Sequence, residues 1–116
     1  MRTTCDRNLI RCDLQPAGYA ELVINRPAAR NALCRSLTDA MAAQLESLAA
    51  DAAVRVVLLR AEGEHFAAGA DLKEMLGMDE EQARAIDFAG CCAHLGFFPK
   101  PVVALVQGFA LGGGCE

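Results

Sequence analysis

Two stretches of small residues hold the chemistry this sequence can offer: Phe66-Ala67-Ala68-Gly69-Ala70-Asp71 and Phe109-Ala110-Leu111-Gly112-Gly113-Gly114-Cys115-Glu116. Each follows an apolar run and reads as a loop entering a helix. Small side chains let a ligand approach the backbone, and N–H groups at a helix start point outward as unpaired donors. One donor from each loop, converging on one carbonyl oxygen, makes an oxyanion hole. The same alanines and glycines also suit close packing of helix on strand, so residue type alone leaves both readings open. Glu116 stands just beyond the glycines, where a carboxylate can reach a substrate held by those N–H groups. A lone glutamate reads equally as a solvated surface residue.

Other chemistries fit less well. The run Gly112-Gly113-Gly114 lacks both the G-x-G-x-x-G spacing and a following Lys-Ser/Thr, which argues against a phosphate loop. Cys91, Cys92 and His94 invite a metal, yet adjacent cysteines face different sides of a helix and no second ligand pair follows, so no metal site is expected. The 6 cysteines include no C-x-x-C pair and read as reduced thiols, mostly small core fillers. His65 flanks the first loop and reads as a partly exposed loop histidine without a catalytic role.

These loops need elements to position them. Residues 8–13 and 19–25 are β-rich and flank the turn Gln15-Pro16-Ala17-Gly18, which predicts an antiparallel hairpin. Pro27 cannot donate into a ladder, so 27–31 is expected to be a loop. Ser36 with Asp39 reads as an N-cap and acidic first turn, and Leu37, Met41, Leu45 and Leu48 set an amphipathic helix over 36–50. Val54, Val56, Val57, Leu58 and Leu59 alternate little, as in a strand covered on both faces. After the loop 61–69, residues 70–76 favour a short helix that Gly77 ends. Asp79, Glu80 and Glu81 open a further helix with an apolar stripe at Ala83, Ile86, Gly90, Ala93 and Phe97. Residues 101–106 read as a second buried strand. The alternation of strands and helices predicts an α/β arrangement with buried central strands.

The chain of 116 residues is enough for one domain and one core. Its 53% apolar and 22% charged content excludes disorder and collagen-like architecture. With 15 acidic against 11 basic side chains and a formal charge of −4, its overall field gives nucleic acid or an anionic membrane no reason to bind. Apolar runs fall well short of the roughly 20 residues of a membrane-spanning helix. Charges interrupt any signal-type apolar segment near the N-terminus, so a cytoplasmic location is expected.

At three places, in order, the sequence resembles the crotonase superfamily, and enoyl-CoA hydratases in particular. Asn25-Arg26-Pro27 with Asn31-Ala32-Leu33 resembles the family's N-R-P-x-x-x-N-A-L segment. FAAGADLKEM, from Phe66 to Met75, resembles its first oxyanion loop, and PVVALVQGFALGGGCE, from Pro101 to Glu116, resembles its second. The resemblance implies an α/β fold built as a crotonase-like ββα spiral core, of which residues 1–116 are the N-terminal part, cut at the second oxyanion loop. A glycine run that should open a helix stops at Cys115-Glu116, in keeping with a fragment.

The resemblance further implies an acyl-CoA thioester as ligand, with the N–H groups of Ala70 and Gly113 on its carbonyl oxygen. It makes Glu116 the first of two hydratase glutamates, orienting or activating the water added across the 2,3 double bond. The second lies beyond residue 116, so the full-length protein is expected to be a lyase of fatty acid metabolism and this piece alone inactive. Ala28, Arg30, Ala68, Asp71, Leu72 and Lys73 fall where relatives line the coenzyme A channel. Some hydratases carry a lysine where this chain has Ala28; Arg30 is a candidate to replace that charge, although a guanidinium on a loop is more often simply solvated. No metal or redox cofactor is implied, since coenzyme A enters only as part of the substrate. Relatives form trimers and hexamers, so a homo-oligomer is expected. The alternatives are an enoyl-CoA isomerase or other acyl-CoA enzyme of this fold, a short coenzyme A-binding or assembly subunit, and a chain without a stable fold.

Overall fold

The computed structural model describes residues 9–81 and 95–115. It contains a sheet in the order β1-β2-β3-β4, made of β1 (Ile10–Gln15), β2 (Tyr19–Ile24), β3 (Val56–Ala61) and β4 (Val102–Ala104). β1 and β2 form the expected antiparallel hairpin, with Ile10 opposite Ile24 and Gln15 opposite Tyr19. Gly18 closes its turn at φ 97° and donates to the Gln15 carbonyl at 3.0 Å. β2 pairs parallel to β3, and β3 parallel to β4. A parallel pair needs a crossover, and helix α1 (Arg35–Ala50) supplies the one from β2 to β3.

The apolar spacing of α1 works as its sequence requires. Leu37, Met41, Leu45 and Leu48 are buried and join Leu22 and Ile24 of β2 and Val57 and Leu59 of β3 in one core. The helix start differs from expectation. Its N-cap is Cys34, whose side chain does not cap the helix, and Ser36 is already inside the helix. The Glu74 carboxylate instead accepts the Arg35 N–H at 2.9 Å from across the groove. At the other end, Lys100 Nζ donates to the carbonyls of Leu48 and Asp51, at 2.7 Å each. That is where a helix exposes unpaired acceptors and favours a cation.

Two strands depart from the expected burial. β3 alternates, with Val57, Leu59 and Ala61 buried and Val56, Leu58 and Arg60 only partly so. Its second face is therefore not a second core. Arg11, Val23 and Arg60 are cross-strand neighbours there. The arginine heads pair with Glu62, and Arg60 also reaches Glu21 at 2.8 Å. Long stems lying between such heads and the sheet can seal an apolar neighbour, and Val23 is fully buried. β4 is the second departure. It is shorter than the expected 101–106 and forms the sheet edge, and Val103, Leu105 and Val106 are exposed because nothing among the described residues packs over them.

The short helix α2 (Leu72–Met75) begins later than expected because Asp71 caps it, accepting from the N–H groups of Lys73 at 3.0 Å and Glu74 at 3.2 Å. Most of the helix expected after Asp79 falls on 82–94, outside the described residues, and Phe97 at the end of its stripe is exposed. Cys34 is buried, Cys12 packs against the core and Cys115 is exposed. Burial, with the Asp13 charge beside it, pushes the Cys12 thiol above its ordinary range. Cys5, Cys91, Cys92 and His94 lie outside the described residues.

Candidate active site

The site begins at the break after β2. Arg30 and Asn31 both adopt left-handed backbone conformations, at φ 52° and 57°. Asparagine tolerates that region better than most residues, and here its side chain is fully used. Asn31 is completely buried; its Oδ1 accepts the Arg26 N–H at 2.8 Å. Its Nδ2 donates to the carbonyls of Glu62 at 2.8 Å and His65 at 2.6 Å. A loop that looks irregular in sequence is thus tied to the segment after β3.

Arg26 makes a second tie. Its Nη1 meets Asp71 Oδ2 at 2.7 Å and the Ala32 carbonyl at 3.0 Å. Burial works to raise the Asp71 carboxyl, but the Arg26 guanidinium and the N–H groups of Glu74 and Lys73 outweigh it and hold the group below the usual carboxylate range. Asp71 stays ionised and fixes the end of the first small-residue loop.

Three segments then run side by side. Leu33 donates to the Gly69 carbonyl at 2.6 Å, and Asp71 donates back to Leu33 at 3.2 Å. On the other side, Phe66 donates to Gln107 at 2.8 Å, Ala67 to Phe109 at 3.0 Å, and Leu111 to Ala67 at 3.1 Å. Gly69 has φ 95°, and a Cβ there would stand 2.9 Å from the Leu111 carbonyl oxygen and 3.9 Å from Gly112 Cα. Gly69 and Gly112 are the residues immediately before Ala70 and Gly113, so the loops meet where the two expected donors begin. No described residue accepts from the Ala70 N–H. Gly113 lies in a single 3-10 turn, Gly112–Gly114.

The packing reading of the small residues also holds at particular positions. A Cβ on Gly114 would stand 2.5 Å from the Ala67 carbonyl oxygen, so that glycine is required by close approach. Gly112, at φ 51° with open space around its Cβ position, is required by backbone conformation instead.

Ala28, Arg30, Ala68, Ala70, Asp71, Leu72 and Lys73, all expected to meet the ligand, border one open groove, and Gly112 reaches it from the second loop. Ala28, Arg30, Leu72 and Lys73 are exposed, whereas Asp71 is buried and its carboxylate is committed to Arg26 and α2. Glu116 lies outside the described residues. Arg26, Asn31 and Glu74 lie within the motifs, but their contacts were not legible there, because their partners stand apart in sequence.

The family model for enoyl-CoA hydratase/isomerase matches residues 15–116. The chain belongs to the enoyl-CoA hydratase/isomerase family. It is 45% identical over 95 residues to a probable enoyl-CoA hydratase of Rhizobium meliloti, covering 82% of this chain and 37% of that protein. It is 42% identical over 95 residues to the 2,3-dehydroadipyl-CoA hydratase of Escherichia coli, again covering 82% of this chain and 37% of the relative. Among solved structures, an enoyl-CoA hydratase of Mycobacterium smegmatis superposes with a TM-score of 0.87 at 35% identity, covering 92% of this chain and 43% of that one. The family's crotonase fold is therefore present here as its N-terminal part, and the chain spans little more than a third of the length of these curated relatives. Among the described residues no helix is long and apolar enough to cross a membrane.

Proposed function

We propose that this chain contributes the oxyanion hole and one water-handling glutamate of an enoyl-CoA hydratase. The Ala70 and Gly113 N–H groups receive the thioester carbonyl oxygen, and Glu116 orients or deprotonates the water that adds to C3. Negative charge spreads from C2 onto that oxygen as water adds, so donors aimed at it stabilise the transition state more than the substrate. Exposed Arg30 and Lys73 flank the groove and give the anionic coenzyme A portion two cations to meet. The second glutamate of the pair is supplied by the family's later residues, and the active protein assembles as a homo-oligomer.

The observation that carries the reading is the contact of the two loops at Gly69 and Gly112, one residue ahead of each donor. The test is hydration of a 2-enoyl-CoA by the full-length protein, followed by loss of the conjugated absorbance. Glu116→Gln should lower kcat about 100-fold or more, the scale of general acid–base catalysis. Undiminished hydration in that variant overturns the role of Glu116. Conversion of a 3-enoyl-CoA in place of hydration assigns the isomerase reaction.

A further inference from the structure

We infer that His65 is a positioning residue that sets the second oxyanion loop, an inference resting on the reaction just proposed. Between the loops, the backbone ladder passes Phe66 to Gln107, Ala67 to Phe109 and Leu111 to Ala67, and no backbone carbonyl in it takes the Phe109 N–H. His65 fills this place with its side chain, Nδ1 accepting that N–H at 2.9 Å. The same ring stacks on Phe109, with centroids 4.0 Å apart and planes 15° from parallel. The side chain therefore grips both the main chain and the ring of one residue.

The surroundings hold His65 in that pose. Its own carbonyl accepts from the buried Asn31 amide at 2.6 Å, which ties it to the break after β2. Gly108, at φ 57°, passes so close that a Cβ would strike His65 Nδ1 and the Glu64 carbonyl. Phe109 leads through Ala110 and Leu111 into the turn that carries Gly113, so a shift at Phe109 passes along a short, tightly bonded stretch to that donor. His65 touches no reacting atom. It acts through the position of the Gly113 N–H, and misplacing such a donor costs turnover more than substrate binding.

The bond requires an unprotonated Nδ1, with the proton on Nε2, and this is readable in the unmodified full-length protein by nitrogen NMR of the imidazole. An Nδ1–H tautomer overturns the inference without any variant. Two substitutions separate the acceptor from the ring. His65→Phe keeps the stack and removes the acceptor; His65→Asn presents Oδ1 near the Nδ1 position and removes the stack. With His65→Phe, amide exchange at Phe109 and Leu111 should rise about tenfold, the worth of one hydrogen bond. For hydration of a 2-enoyl-CoA, kcat should fall by about the same factor with KM changing less than about twofold. His65→Asn should recover most of the loss in both measurements. Unchanged exchange at Leu111 in His65→Phe, or no recovery in His65→Asn, overturns the proposal. If exchange responds as expected while the unmodified protein hydrates no enoyl thioester, the positioning role stands and the hydratase reading falls.

Discussion

At the scale of single residues, the site depends on polar groups whose work is structural. Asp71 borders the groove, yet its carboxylate is spent on Arg26 and on the first turn of α2. Its folded pKa lies below the ordinary value, so its stabilisation is fully present above about pH 4, the usual unfolded range. It is lost as pH falls through the depressed folded value. Glu62, held down by hydrogen bonds from Arg11 and Arg60, acts in the same direction. Urea titrations between pH 7 and pH 2 should show stability falling below about pH 4. Asp71→Asn should be less stable than the parent at pH 7 and lose less on acidification. A parallel decline in both proteins would remove Asp71 from this account. In the sequence Asp71 closes a loop of small residues, and nothing nearby marks its arginine partner, 45 positions earlier in the numbering.

At the scale of elements, periodicity made α1 legible and left its start obscure. Leu37, Met41, Leu45 and Leu48 define the buried face by spacing alone. Ser36 looked like the cap because serine commonly serves there, but Glu74 in α2 takes that function over a distance no local rule covers. Glu74→Ala should cost about 0.5–1 kcal/mol by urea denaturation, with Glu74→Gln recovering part because an acceptor remains. An unchanged midpoint in Glu74→Ala would show that water satisfies the Arg35 N–H equally well. Strand burial followed the same division. Val57 and Leu59 are apolar and buried as expected, whereas the second face of β3 is closed by Arg11 and Arg60 rather than by a packed layer.

At the scale of the whole molecule, the described residues form one well-buried core, and the edge strand β4 leaves apolar side chains exposed. Exposed Val103, Leu105 and Val106 follow one another along β4 and beyond it, and Phe109 and Leu111 continue the apolar exposure towards the second loop. An open strand edge with apolar side chains invites association. Val103→Lys in the 116-residue chain should lower aggregation seen by light scattering while changing stability by less than about 0.5 kcal/mol. Loss of folding in that variant would mean that Val103 is packed rather than exposed. The apolar residue types of 101–106 indicated a strand correctly but indicated burial wrongly, since residue type reports what can be covered and not what covers it.

By itself the sequence determined the hairpin, the buried face of α1, the strand character of β3 and the two loops of small residues, because those follow from local backbone preference and the repeat of apolar side chains. The ordered motifs also carried the family. Tertiary structure alone decided that Asn31, in a left-handed conformation, ties Arg26 to the segment after β3, that Glu74 caps α1, that Asp71 pairs with Arg26, and that His65 receives the Phe109 N–H. It also decided which glycine is needed for space, as at Gly114, and which for backbone angle, as at Gly112. The physical reason is the same in each case. A hydrogen bond or a close approach has two partners, and when they lie tens of residues apart only the folded chain brings them together.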